Sequence, residues 1–270
     1  MLNPSLFLIV FLGYFAALVC YFINFETQKE SLLTWGRQFV FMGLVLHAIF
    51  LIALYAQTKS IATPYFSEFL VAFLVLTISY VMEWKYKAKF LLLFSLPVAL
   101  LLCFLALLTG PGHFSGVFSG SGWLAVHLTF ILSGFAGLVI AFSSALMYLL
   151  QSTQLKSKHL GKIFLKLPSL EALDQIHFRA LSFGVILFSL GILTGIFWAK
   201  NLQELREVWR DPKVVFSFVT CAMYWAVLGF RMSALRRGQK IAIGTLLVFA
   251  MLVLTFFSTH AIPSALTRGF

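Results

Sequence analysis

The chain has 270 residues, of which 61% are hydrophobic and 11% charged, with a mean hydropathy of +0.96 and a formal net charge of +11. Soluble domains carry roughly 25% charged residues, so these values exclude a water-soluble fold and describe an integral membrane protein. The cationic excess sits mainly in short segments between apolar runs, where it sets orientation and attracts anionic lipid, and it calls for no nucleic-acid partner.

A hydrocarbon core of roughly 30 Å takes about 20 apolar residues to cross. Such runs occur at 5–24, 38–56, 67–84, 90–109, 123–151, 177–200, 214–231 and 241–262. The expected architecture is all-α: a single polytopic domain over 1–270 with eight transmembrane helices, because the connections are too short to fold alone. The first run lacks the basic segment and small-residue cleavage site of a secretory signal and reads as a mature helix. Fourteen of the twenty Lys and Arg fall on one side of this arrangement, among them Lys85, Lys87, Lys89, Lys156, Arg231 and Lys240, and six on the other. The positive-inside rule makes the first side cytoplasmic, with both termini outside.

Cys20, Cys103 and Cys221 lie in apolar runs and form no CxxC or CxxCH pattern, which argues against a structural zinc site and covalent c-type haem attachment. No Asp, Glu, Lys or Arg falls in the middle third of any expected helix; Glu68, Glu83 and Arg179 sit near ends. Ion-coupled transporters usually place such groups at mid-depth, so that class loses weight. Histidine remains as the main ionisable group at depth.

At 1.5 Å per residue, His127 lies roughly 6 Å from the outer end of the fifth helix, and His260 lies roughly 28 Å along the eighth, again near the outer face. Between them in sequence runs the outward connection "NLQELREVWRDPK" with Arg206, Trp209, Arg210 and Lys213. Two imidazoles at one depth suit axial ligation of a haem iron, with Trp198 and Trp209 as walls and the cations near the propionates. Imidazole, indole and guanidinium are also ordinary at a membrane boundary, so spacing alone leaves both readings open. His47, roughly 13 Å into the second helix, needs partners for its ring nitrogens: a ligand, or a Ser or Thr on a neighbouring helix. His177 opens the sixth helix as a cap or interface residue, and His113 and His159 read as solvated.

Two further features read as structural. "GILTG" (Gly191 to Gly195) permits close helix approach, and the segment after Lys156 spaces Leu160, Ile163, Phe164 and Leu167 for an interfacial helix, with Ser169 as the cap of a restart.

The stretches "WLAVHLTFILSGFAGLVIAFSSALMYLLQ" and "LPSLEALDQIHFRALSFGVILFSLGILTGIFWA" resemble the CcsA family of cytochrome c assembly proteins, especially its eight-helix HemX-like branch. The resemblance covers about 123–262 well and the first four helices more loosely, through "LVLHAIFL" around His47. It implies a non-covalent b-type haem held near the outer face by His127 and His260. Trp209, Asp211 and Pro212 in "VWRDPK" match the remnant of the family's tryptophan-rich motif, and Arg206 and Arg210 flank it. The full motif is absent, and Gly229 in "VLGFR" stands where full synthases carry a histidine. His47 matches the family's helix-two histidine and implies a second haem position, for which His177 is a candidate opposite ligand.

The resemblance further implies a bacterial cytoplasmic membrane, a CcsB/ResB-type membrane partner and apocytochrome c. With no nucleophile or general-base constellation, the expectation is positioning and ligand exchange, not an enzyme. The alternatives are a haem-free regulator acting on glutamyl-tRNA reductase and a haem exporter.

Overall fold

The computed structural model describes residues 4–58, 63–109, 122–157, 167–201, 212–233 and 238–261. Among them it contains eight α-helices and no strand: α1 Pro4–Thr27, α2 Glu30–Thr58, α3 Pro64–Tyr86, α4 Leu91–Thr109, α5 Gly122–Lys156, α6 Leu170–Asn201, α7 Pro212–Met232 and α8 Gln239–Ala261. The first seven are long and apolar enough to cross a membrane, and α8 is apolar over Gln239–Thr255. The molecule is a multi-pass helical membrane bundle. Large side chains such as Ile52, Trp84 and Phe183 are exposed on its outside, where lipid rather than water is the solvent.

Consecutive helices pair as antiparallel hairpins, and the helices form two groups of four. In the first group α2 also meets α3 and α1 meets α4; in the second α6 meets α7 and α8 returns to α5. The groups join where α3 and α4 pack on α5. In α1 the buried residues Phe7, Val10, Tyr14, Ala17, Tyr21 and Asn24 recur every three or four positions, and in α2 Leu33, Gly36, Val40, Gly43, His47, Phe50 and Leu54 do the same. Each set forms one stripe along a 3.6-residue helix, and the stripes face each other. Gly36 and Gly43 accept the rings of Tyr21 and Tyr14, which lie 2.9 and 2.6 Å from where a Cβ would stand.

The α5–α6 pair is closer still. A Cβ on Gly134 would lie 2.5 Å from the backbone nitrogen of Phe188, and one on Gly137 3.0 Å from Cα of Gly184. The pairs 134/188 and 137/184 run in opposite directions along the two chains, as an antiparallel register requires. Backbones approach this closely only where both helices carry small residues.

Three helices run five or more residues past one end of their apolar runs. α2 begins at Glu30, eight residues before 38, because Arg37 does not end it: its Nε donates to Glu83 Oε1 at 3.1 Å. Tyr21 Oη donates to the same oxygen at 2.8 Å, and the Leu92 backbone N–H to Glu83 Oε2 at 3.3 Å. One buried carboxylate thereby ties α1, α2, α3 and α4 together at the lysine-rich end. α5 continues to Lys156, which bonds Gln239 at the start of α8. α6 begins at Leu170, seven residues before His177, with the Ser169 hydroxyl accepting from the Ala172 N–H at 3.2 Å. The cap at Ser169 is as expected; His177 is therefore two turns inside the helix rather than at its start. The segment from Leu160 to Phe164 lies outside the described residues, as does His113. Cys20, Cys103 and Cys221 are free thiols.

Candidate functional site

Near its N-terminus α5 carries His127, half-buried against the C-terminal part of α6. The ring Nδ1 lies 2.7 Å from the carbonyl oxygen of Gly191. A carbonyl only accepts, so Nδ1 holds the proton and the neutral ring has its lone pair on Nε2. The Thr194 hydroxyl donates to the same carbonyl at 3.0 Å, which fixes the acceptor. Gly195 supplies the space: a Cβ there would lie 2.8 Å from His127 Nδ1 and 2.9 Å from Cε1. Gly191 brings the backbones together, since its Cβ would meet Cα of Ile131 at 2.8 Å. The pairs 127/195 and 131/191 continue the register set by 134/188, so the "GILTG" segment that permits close approach also seats the imidazole.

The indole of Trp198 lies parallel to the His127 ring, 8° between planes and 6.4 Å between centroids, and Trp123 stacks with Phe197 at 5.9 Å. These rings form an aromatic wall beside the histidine. Orienting a histidine through its second nitrogen, with an apolar surround, is the pattern that prepares an imidazole as a metal ligand.

The backbone of His260 lies in the last turn of α8. Phe142 of α5 stacks on Phe249 of α8 with centroids 4.1 Å apart, which fixes the relative height of the two helices. From that level His127 is about 22 Å along α5 and His260 about 16 Å along α8 in the same direction, so the two positions share one end of the bundle with a stagger of about 6 Å. Arg206, Trp209, Arg210 and Asp211 lie outside the described residues.

His47 is fully buried on the α2 stripe. Its Nδ1 is 3.1 Å from Tyr14 Oη, and the rings of Phe50, Phe69 and Phe73 pack around it with centroids 6.4, 5.9 and 5.6 Å away. The partner is a tyrosine of α1 rather than a serine or threonine. Among the described residues Nε2 of His47 has no hydrogen-bond partner. Either the phenol donates and an N–H is left in an aromatic box, or Nδ1 donates and a lone pair is left there. Both states have a cost that a bound group would remove. His177 is engaged elsewhere: its Nε2 is 2.9 Å from Thr245 Oγ1 of α8. His47 and His177 share no partner among their described contacts, and His177 is a histidine of the α6–α8 interface. No group of three His, Cys, Asp or Glu side chains that could hold a metal ion occurs among the described residues.

Sequence reading missed Tyr14 as the partner of His47 and the seat of His127 at Gly195. The second had a visible signal, in that Gly191 and Gly195 are spaced one helical turn apart, as are His127 and Ile131.

Comparison with known proteins gives the chain's relationships. A family model described as "Cytochrome C assembly protein" matches residues 61–266. Protein HemX of Bacillus subtilis (strain 168) is 26% identical over 190 residues, which is 69% of this chain and 68% of that protein. A cytochrome c biogenesis protein CcsA of Prochlorococcus marinus is 24% identical over 163 residues, 52% of this chain and 51% of the relative. CcsA of Guillardia theta is 25% identical over 161 residues, 54% and 53%. The chain thus spans about half the length of these CcsA relatives. With the model covering from α3 through α8, this chain belongs to the cytochrome c assembly protein family.

Proposed function

We propose that this protein holds a non-covalent b-type haem near the outer membrane face, with His127 and His260 as axial ligands, and keeps it for or passes it to cytochrome c assembly. The observation that carries the reading is the His127 seat. Nδ1 is committed to the Gly191 carbonyl, Gly195 leaves room for the ring, and the lone pair is confined to Nε2. The shared end of the bundle reached by the His127 and His260 positions supports it. Haem here is cargo, and supplies its own iron porphyrin. What the chain contributes is orientation of two imidazoles, an aromatic wall including Trp198, and the outward connection with Arg206, Trp209, Arg210 and Asp211 for the propionates and porphyrin edge. His47 is the ligand of a second position within the bilayer, supported by its buried Nε2 without a hydrogen-bond partner. The membrane is the bacterial cytoplasmic membrane with both termini outside. The partners are a CcsB/ResB-type membrane protein and apocytochrome c.

The test is the haem content of protein purified from haem-replete cells. The wild type is expected to retain haem, and a His127→Ala, His260→Ala double variant to lose about tenfold or more of what the outer site holds, the scale on which ligand-shell changes act. A wild type without haem, or a double variant with unchanged content, contradicts the reading.

The greater coverage of protein HemX than of the CcsA relatives favours a second reading, a haem-free regulator whose basic end docks a soluble enzyme such as glutamyl-tRNA reductase. Retention of that enzyme by chromophore-free protein separates the two. A haem exporter would retain haem yet need no apocytochrome.

A further inference from the structure

Between the two four-helix groups lies a partly open cleft of about 530 Å³, walled by α3, α5 and α6. Its lining on α3 is Ile78, Met82 and Tyr86, one residue per turn, and on α6 it extends from Ala172 to Leu187. The α3 stripe is about 12 Å long and the α6 stripe about 22 Å, so the cleft runs from one end of the bundle to about mid-depth, the span of a single leaflet. Gly137 and Gly184, at the close approach of α5 and α6, form part of the floor.

The polar groups are unevenly distributed. With the exception of Ser133 they all lie in the half of the cleft nearer one end, as Tyr86, Gln175 and Arg179. That end is the one bearing Lys85 in the last turn of α3 and Lys87 and Lys89 in the α3–α4 connection. Arg179 is exposed, and no salt bridge to it occurs among the described residues. Asp174 is taken by Arg231 of α7, and Glu171 lies about 12 Å farther along α6. An apolar slot one leaflet deep with an exposed, unpaired guanidinium in the half nearer its interfacial mouth complements a molecule with an anionic head and a hydrocarbon tail. Basic pockets between transmembrane helices bind anionic phospholipid headgroups in this way.

We propose that this cleft is a binding site for one anionic glycerophospholipid, with its phosphate at Arg179 and an acyl chain along Met82, Phe183 and Leu187. The site is separate from the His127 seat and does not rest on the haem reading. Native mass spectrometry of the full-length protein, delipidated and then equilibrated with phosphatidylglycerol or phosphatidylcholine, tests it. Phosphatidylglycerol is expected to be retained over phosphatidylcholine, and Arg179→Gln to reduce its retention about fivefold, the effect of one cation beside an anionic head. Ala180→Phe, which fills the cleft without touching the charge, is expected to reduce retention of both lipids.

Equal retention of the two lipids by the wild type overturns the proposal, as does phosphatidylglycerol retention unchanged in both variants. Loss of added haemin but not of phosphatidylglycerol in Arg179→Gln also overturns it, and makes the cleft a haem site. If Arg179→Gln does not fold, the wild-type lipid preference together with Ala180→Phe decides.

Discussion

Glu83→Ala is expected to destabilise the first four helices by about 2 kcal/mol, from the two buried hydrogen bonds of Tyr21 and the Leu92 N–H at roughly 1 kcal/mol each. The carboxylate accepts from Tyr21, Arg37 and the Leu92 N–H, and it is 2% exposed. Alanine would leave the Tyr21 hydroxyl, itself fully buried, without its acceptor in an apolar seam. Arg37 is 41% exposed at its side chain, so its charge can turn to water and headgroups and adds little to the loss. Glu83→Gln keeps one carbonyl acceptor and should lose about half as much. Thermal unfolding of the purified protein in detergent measures both. A Glu83→Ala variant that melts with the wild type would show that the clasp contributes nothing.

Gly195→Ala is expected to lower haem retention by about tenfold while leaving the bundle folded, because it displaces a ligand without removing it. The added methyl would stand 2.8 Å from His127 Nδ1, closer than a carbon and a nitrogen can approach, so the ring must turn away from the Gly191 carbonyl. That frees the tautomer and withdraws Nε2 from its present direction. Haem content and a melting curve, read on the same preparation, separate this from general unfolding. Unchanged haem content would mean that the Gly195 seat does not position a ligand.

The helices were legible because bilayer thickness imposes a length on every apolar run, and eight such runs are present. Their ends were not, because polar residues that stop an apolar window need not stop a helix. Arg37 continues α2 once Glu83 meets it, and α6 extends back through His177 once Thr245 receives the imidazole. The orientation of His127 could be read only in part. The glycine spacing in "GILTG" announces a close approach, but which partner fills the space follows from the antiparallel register of α5 and α6, set by contacts 64 residues apart in the chain. The pairing of His47 with Tyr14 was hidden for the same reason, since a stripe of 3.6-residue period shows which face is buried but not which helix covers it.

Electron paramagnetic resonance of the oxidised, purified protein is the most direct measurement of whether two imidazoles share one iron. Ligation by His127 and His260 predicts a low-spin ferric signal in the wild type. Either His127→Ala or His260→Ala alone should convert the outer-site signal to high spin. A low-spin signal that survives both single substitutions unchanged would contradict bis-histidine ligation at the outer end of the bundle.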